Sequence, residues 1–597
     1  MNGRAPTVRF DAARIAADII QQTNRDIRLA LPLGLGKANT IVNALMEHAL
    51  EDRAIHLSIF TALTLERPNP RDPIGSRFIG PARDRLFGRY PALQYAELLR
   101  RDSLPKNIAV QEFFFLPGKW LRHPTAQQNH ISAKYTHVLG YLLAREPNVV
   151  AQLLARDADG RLSLSCNTDI SSDLLALRRQ GKTAFLFAGE INSELPFMPG
   201  SAVIEPMEPD LLLDDPKTDF ELFSAPRQPL SLADHAIGLH VSRLVPDGGT
   251  LQIGIGAMGD AVAHALRLRH QEPAAHRDLV LECPFPAPAP EDHQGSFEAG
   301  LYCVTKMLGE GLLALFEAGV IRQVRDGAAI HAGFFIESRD FYRRLRSMAM
   351  TTRRAIDMRP ISYTNALYGD EQKKRAVRAG ARFINGSMKV TALGAAISDA
   401  LEDGQVVDGV GGQFDFVSQA FALEGARSIL PLPATRRTRG KLVSNIPWSY
   451  PTETIPRHLR DIVVPEYGIA DLRGRSDAET IQEMIRISDS RFQDGLAEEA
   501  RSAGKLRQKW KVPDRWKVNT PERVRDWLGD RQDQLGSFPF GNDITQEEQD
   551  LLSPREQLRT HQGDLIWSDP AWDWWTPMIG FRANGRSVRW RRRSAGI

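Results

Sequence analysis

"LVPDGGTLQIGIGAMGDAVAHAL", residues 244–266, carries the fold in miniature. The apolar run "TLQI" reads as a strand, the glycines as a tight turn, and "AMGDAVAHAL" as a helix with an apolar face. Gly254, Gly256 and Gly259 form a literal G-x-G-x-x-G. In a dinucleotide fold such glycines give a tight turn, close backbone approach and a phosphate seat at the helix N-terminus. Glu282, closing the strand-like run "LVLEC", stands at a suitable distance to be the ribose-binding acid. An NAD-dependent oxidoreductase is therefore one reading, and glycines that serve only βα turns are another.

Working outward, the same alternation recurs on both sides. "IRLALPLGLGKANTIVNAL", "AIHLSIFTALTL", "PNVVAQLLA" and "KTAFLFAGEIN" precede it; "TKMLGEGLLALFEAGVI", "ARFINGS", "QVVDGVGGQFDFV" and "DIVVPEYGIADLRG" follow. Short apolar runs alternating with helical periodicity predict an α/β fold around mainly parallel sheets. The Pro- and Asp-rich stretch 201–234 reads as a linker between an N-terminal α/β domain at 10–200 and a second at 235–504. From Lys505 the texture changes to a Trp- and Arg-dense extension, 505–597, expected to wrap the core. Its cluster "WSDPAWDWWTP" reads as packing against the body, and the terminal "RSVRWRRRSAGI" as a solvated tail.

The 597 residues exceed what one core accommodates. Seventy-six basic against 73 acidic side chains leave a net charge of +3, too even for a nucleic-acid or membrane surface to be the general partner. Cys166, Cys283 and Cys303 have neither metal-ligand nor disulfide-framework spacing, which suits reduced thiols in the cytoplasm. No apolar run approaches the roughly 18 residues of a membrane span. A second glycine-dense loop, "GVGGQFDF" at 409–416, suits a site that holds a thioester carbonyl as well as one that holds pyrophosphate.

The order and spacing of "FINGSMKVTALGAAISDALEDGQVVDGVGGQFDFVSQAF", "LPLPATRRTRGKLVSNIPW" and "EYGIADLRG" resemble the acetyl-CoA hydrolase/transferase family, whose relatives include acetate, succinyl and 4-hydroxybutyrate CoA-transferases. The likeness is strong over about 235–505 and weaker over the first domain. It implies two similar open α/β domains with the site between them, coenzyme A as substrate with no covalently bound cofactor, an acyl-CoA and a small carboxylate as partners, and a homodimer. The family's glutamate attacks the thioester to give an acyl-glutamyl anhydride, then a glutamyl-CoA thioester; both remain activated, so neither traps the enzyme. Carried over by position, Gly411 and Gly412 are candidate oxyanion-hole residues, and Gly254 and Gly256 match a second glycine loop of the cleft. Glu466 matches a glutamate that places CoA or the acyl group, and Asn365 a site asparagine. Pairing with an arginine for Glu466 and capping a turn for Asn365 are the structural alternatives.

The resemblance breaks at one position. Where family members read "SEMF-DG" or "HTEMFSDG", this chain reads "VTKMLGEG", so Lys306 stands in the place of the nucleophilic glutamate. An ammonium has no free electron pair, and a neutral amine would convert a thioester into an amide that does not turn over. Glu310, four residues on, is expected to pair with Lys306 across one helical turn rather than to replace the nucleophile. The open readings are a transferase or hydrolase with its covalent route blocked, a slow thioesterase using activated water, and a non-catalytic CoA-binding or scaffold protein.

Overall fold

The computed structural model describes residues 6–67, 73–438, 440–531, 533–545 and 548. The first sheet is built from β1 (Thr7–Arg9), β2 (Asp26–Ala30), β3 (His56–Thr61), β4 (Ile108–Glu112), β5 (Val149–Arg156), β6 (Leu162–Ser163), β7 (Leu186–Ile191), β8 (Val203–Ile204) and β9 (Leu211–Leu213). Its main path runs β1-β9-β7-β5-β2-β3-β4, every pair parallel. Strands buried on both faces need no alternation, and the all-buried pattern of β5 up to its last residue shows this. Leu211–Leu213, expected within a linker, instead pairs with both β1 and β7. Three consecutive leucines outweigh their acidic and Pro-rich surroundings, because a central parallel strand rewards a continuous apolar run.

The second sheet contains β10 (Thr250–Ile253), β11 (Tyr302–Met307), β12 (Ile330–Phe334), β13 (Ile356–Met358) and β14 (Arg382–Ile384). Two short strands, β15 (Lys389–Val390) and β16 (Ala396–Ile397), form a hairpin apart from it. β17 (Arg427–Pro431) rejoins the sheet, β18 (Thr435–Thr438) and β19 (Lys441–Ser444) make a second hairpin, and β20 (Ile462–Val464) and β21 (Ala470–Asp471) complete it. The order is β13-β12-β11-β10-β14-β17-β20-β21, parallel except for the last pair. Strands added after β10 go to one side and those from β14 on to the other. The chain therefore reverses direction between β10 and β14, and the crevice beyond the carboxyl ends of such strands is where open α/β sheets bind ligands.

"LVLEC" is not a strand. Pro273–Leu281 is a helix with Pro273 in its first turn, and Glu282 is its C-terminal cap. Glu282 binds Arg531 at 2.7 Å. The strand that follows β10 is β11, ending in Lys306 and Met307, so no acid stands where a dinucleotide's ribose would need one. The glycine turn itself is real: Gly256 has φ +94° and precedes the helix Ala257–Gln271, while a Cβ on Gly259 would lie 2.0 Å from the Gly254 carbonyl oxygen.

One apolar core joins the two sheets, running from Leu33, Phe60 and Leu153 to Met307, Ile330 and Ile462. Beyond Lys505, Val512 and Trp516 pack on the outer face near β20, and Trp527 and Leu528 pack on Ala236 and Leu239. The chain then passes Arg227, which donates to the carbonyls of Phe540 and Gly541, and reaches the first half where Arg85 pairs with Glu548. The Trp cluster at 567–577 and the Arg tail from 586 lie outside the described residues. Among the described residues, no helix is long and apolar enough to cross a membrane and no group of acidic, His or Cys side chains could hold a metal ion.

Candidate active site

Apart from Glu282, the residues singled out in the second half lie at or beyond the carboxyl ends of parallel strands. Lys306 ends β11, the Gly254–Gly256 turn follows β10, and Glu466 follows β20. Asn365 caps the short helix Ile361–Thr364 after β13, and Gly412 precedes the helix Gln413–Ala422 between β14 and β17.

Lys306, Asn365, Gly411 and Gly412 form one tight group. A Cβ added to Gly411 would sit 3.0 Å from Lys306 Nζ; one on Gly412 would sit 2.9 Å from Lys306 Cδ and 2.5 Å from Asn365 Nδ2. These glycines are thus required by the approach of the lysine and asparagine. Gly411, at φ +54°, also needs a backbone conformation that side chains disfavour. Gly412→Ala is expected to lose about 1–3 kcal/mol of stability, the usual cost of overpacking, seen as a lower denaturant midpoint at unchanged slope.

The first half closes over this group. Phe114, just after β4, places its ring 5.4 Å from Lys306 Nζ. The Phe115 N–H donates to the Asp408 carbonyl at 2.6 Å, and the Tyr135 N–H to the Gly411 carbonyl at 2.8 Å. Lys134 pairs with Asp415 at 3.1 Å, and Thr136 Oγ1 donates to the same carboxylate at 2.8 Å. Gly411 is bridged to Lys134 as a one-residue parallel strand. Its carbonyl is therefore committed to the first half. The Gly412 N–H makes no hydrogen bond among the described residues, and no side chain caps the helix it begins. The Gly412 amide is therefore free to donate.

Desolvation depresses the pKa of Lys306, and the charges of Asp408 and Asp415 partly offset it. Among the described residues its Nζ makes no hydrogen bond or ion pair; the Phe114 ring is its polarised neighbour. Asp408 is raised to about 7, chiefly by burial, with Asp399 adding to the effect. Burial also raises Asp415, against the pull of Lys134.

The expected Lys306–Glu310 pair is not formed. The strand ends at Met307 and the helix begins at Glu310, so the two are not on one helix. Glu310 is buried and bound instead by Arg227 at 2.5 Å and by Arg344. Glu466 makes no arginine pair among the described residues; its carboxylate accepts from the Ala434 N–H at 2.7 Å, and burial raises it to about 7. At the end of β20, four strand positions from β11, it lies on the order of 19 Å along the sheet from Lys306, at about 4.8 Å per strand. Asn365 does cap a turn, and it also approaches Asp415, with Nδ2 3.4 Å from its carboxylate. Around Gly256 a Cβ would meet nothing within 4 Å, so this turn opens to solvent beside β11.

Phe114, Lys134, Asp408 and Asp415 were not singled out from sequence. Asp415 sits within "GGQFDF", but nothing in a linear pattern ties 114 or 134 to 411. The apolar cavity of about 20 Å³ bounded by Phe60, Phe113, Leu142 and Leu174 has room for about one water and lies apart from this group.

Residues 338–500 match the model of the acetyl-CoA hydrolase/transferase C-terminal domain. A 4-hydroxybutyrate coenzyme A transferase from Clostridium kluyveri is 26% identical over 343 residues, 56% of this chain and 68% of that protein. The succinyl-CoA:cyclohexane-1-carboxylate CoA transferase of Geobacter metallireducens is 24% identical over 366 residues, 60% of this chain and 72% of that protein. The fold is shared with RipA from Yersinia pestis, at a TM-score of 0.61 and 21% identity over 84% of this chain and 98% of that one. A 4-hydroxybutyrate CoA-transferase from Porphyromonas gingivalis aligns at 0.54 and 18% identity over 83% and 98%. Residues 338–500 thus match the acetyl-CoA hydrolase/transferase C-terminal domain, and the chain is similar to CoA-transferases over more than half of its length.

Proposed function

We propose that the protein binds a CoA thioester in the crevice between its two halves, with the acyl carbonyl beside Gly412 and Lys306, and that Lys306 closes the carboxylate route of hydrolysis and transfer. The observation that carries this reading is the packing of Lys306 against the Gly411–Gly412 loop, where a glutamyl nucleophile would otherwise face the thioester. Glu310 offers no substitute, because two arginines hold its carboxylate. An NAD-dependent reaction is disfavoured by the helical setting of Glu282 and by Lys306 at the end of β11.

A ligand that binds only the folded form raises its stability, by about 2.7 kcal/mol at a free concentration of roughly 100 Kd. Coenzyme A and acetyl-CoA are expected to raise the thermal midpoint and NADH to leave it unchanged. A shift with NADH and none with either CoA species overturns the reading.

A further inference from the structure

We propose that Lys306 is a self-acylation site: an acyl-CoA bound in the crevice transfers its acyl group to Lys306 Nζ, in a single turnover that leaves an Nε-acyl-lysine and free CoA thiol. The inference rests on the CoA reading above and gives Lys306 a positive role within it.

Three observations meet at this nitrogen. Lys306 Nζ has no hydrogen-bond or ion-pair partner among the described residues, whereas the buried Lys37 donates to the carbonyls of Gly34, Ala62 and Leu63. It abuts the turn that ends at the free Gly412 amide and the uncapped start of a ten-residue helix, which together suit a developing oxyanion. Its surroundings, the Phe114 ring and the glycine backbone, partly shield it from water and favour the neutral amine needed for attack. A lysine serving only as a structural cation would be expected to have a paired carboxylate. The two acids nearest in charge are otherwise held: Asp415 by Lys134 and Thr136, Asp408 by the Gly409 N–H.

The step balances without a further reactant. The neutral amine attacks the thioester carbonyl, forming the N–C bond and placing negative charge on the oxygen beside Gly412. Collapse breaks the C–S bond and expels the CoA thiolate, and the proton lost from nitrogen is matched by the one the thiolate takes up. The resulting amide nitrogen is a poor leaving group, so CoA does not return and the acyl group stays.

The test is intact-mass analysis of the full-length protein after incubation with acetyl-CoA, with peptide mapping and thermal shift by CoA measured in parallel. One acetyl group per chain on the Lys306 peptide is expected, formed about tenfold or more faster than on the exposed Lys217, as a positioned amine should react. Lys306→Arg, which keeps the charge without an available amine, should lose that adduct. Acetylation spread evenly over surface lysines overturns the inference. So does an absent adduct, and the CoA shift then separates the two failures: a retained shift leaves the CoA reading standing, and a lost one removes both.

Discussion

Lys306→Glu is expected to convert a protein without steady turnover of acetyl-CoA into one that releases thiol continuously and faster in the presence of a carboxylate acceptor. The geometry favours the introduced group. It would lie beside the free Gly412 amide, with Lys134 already holding Asp415 so that this second acid does not impose a full opposing charge. Asp408, raised to about 7 even with the lysine cation nearby, would rise further once that cation is gone and stay protonated at neutral pH. A carboxylate then returns the acyl group, because both its anhydride and its thioester intermediates are activated. An increase of about 100-fold or more is expected, equivalent to about 2.7 kcal/mol of transition-state stabilisation. Thiol release by the two proteins, each with and without acetate, checks this. Equal turnover by the unsubstituted protein would mean that Lys306 is no obstacle.

That experiment depends on a register that the sequence already carried. The runs on both sides of "VTKMLGEG" align Lys306 with the family glutamate, and the structure places it at the penultimate position of β11. Periodicity alone could not say that the chain leaves the sheet at Met307 and begins its helix only at Glu310. A reading of 306 and 310 as helical neighbours therefore paired two residues that point into different surroundings. "LVLEC" shows the same limit. Five apolar or mixed residues fit a strand or a helix end equally well, and Pro273, a signal for a helix start, lies upstream of the run. Phe114 and Lys134 were beyond reach for a different reason. They join the site through contacts across about 190 and 280 residues of chain, and those contacts follow from how the two sheets share a core.

The same distance hides the residue whose loss should cost the fold most. Arg227, in the stretch read as linker, is buried against three acids: Glu310 at 2.5 Å, Glu337 at 3.6 Å, and Asp260, whose carboxyl feels its charge. It also donates to Phe540 and Gly541, tying the C-terminal segment to the core. Arg227→Met keeps the apolar length and removes the cation, leaving Arg344 as the ion-pair partner of Glu310 among the described residues. Breaking one side of a buried pair costs about 3–5 kcal/mol, so the variant is expected to unfold at markedly lower denaturant.

The loss should depend on pH. Burial, with Glu337 and Glu310 adding to it, raises Asp260 to about 8 in the folded protein, above its ordinary value of 3.8. A raised acid binds more protons folded than unfolded, so its contribution is full below about pH 4 and declines as pH rises towards 8. Removing Arg227 takes away the one charge that lowers this pKa and extends the decline to higher pH. The variant should therefore trail the parent by a constant amount up to about pH 7 and fall further behind it above pH 8, as at pH 6 against pH 9. Denaturant unfolding of both proteins at the two pH values measures this. An identical difference at both would show that Arg227 acts through its backbone-carbonyl contacts to the C-terminal segment rather than through the acids it faces.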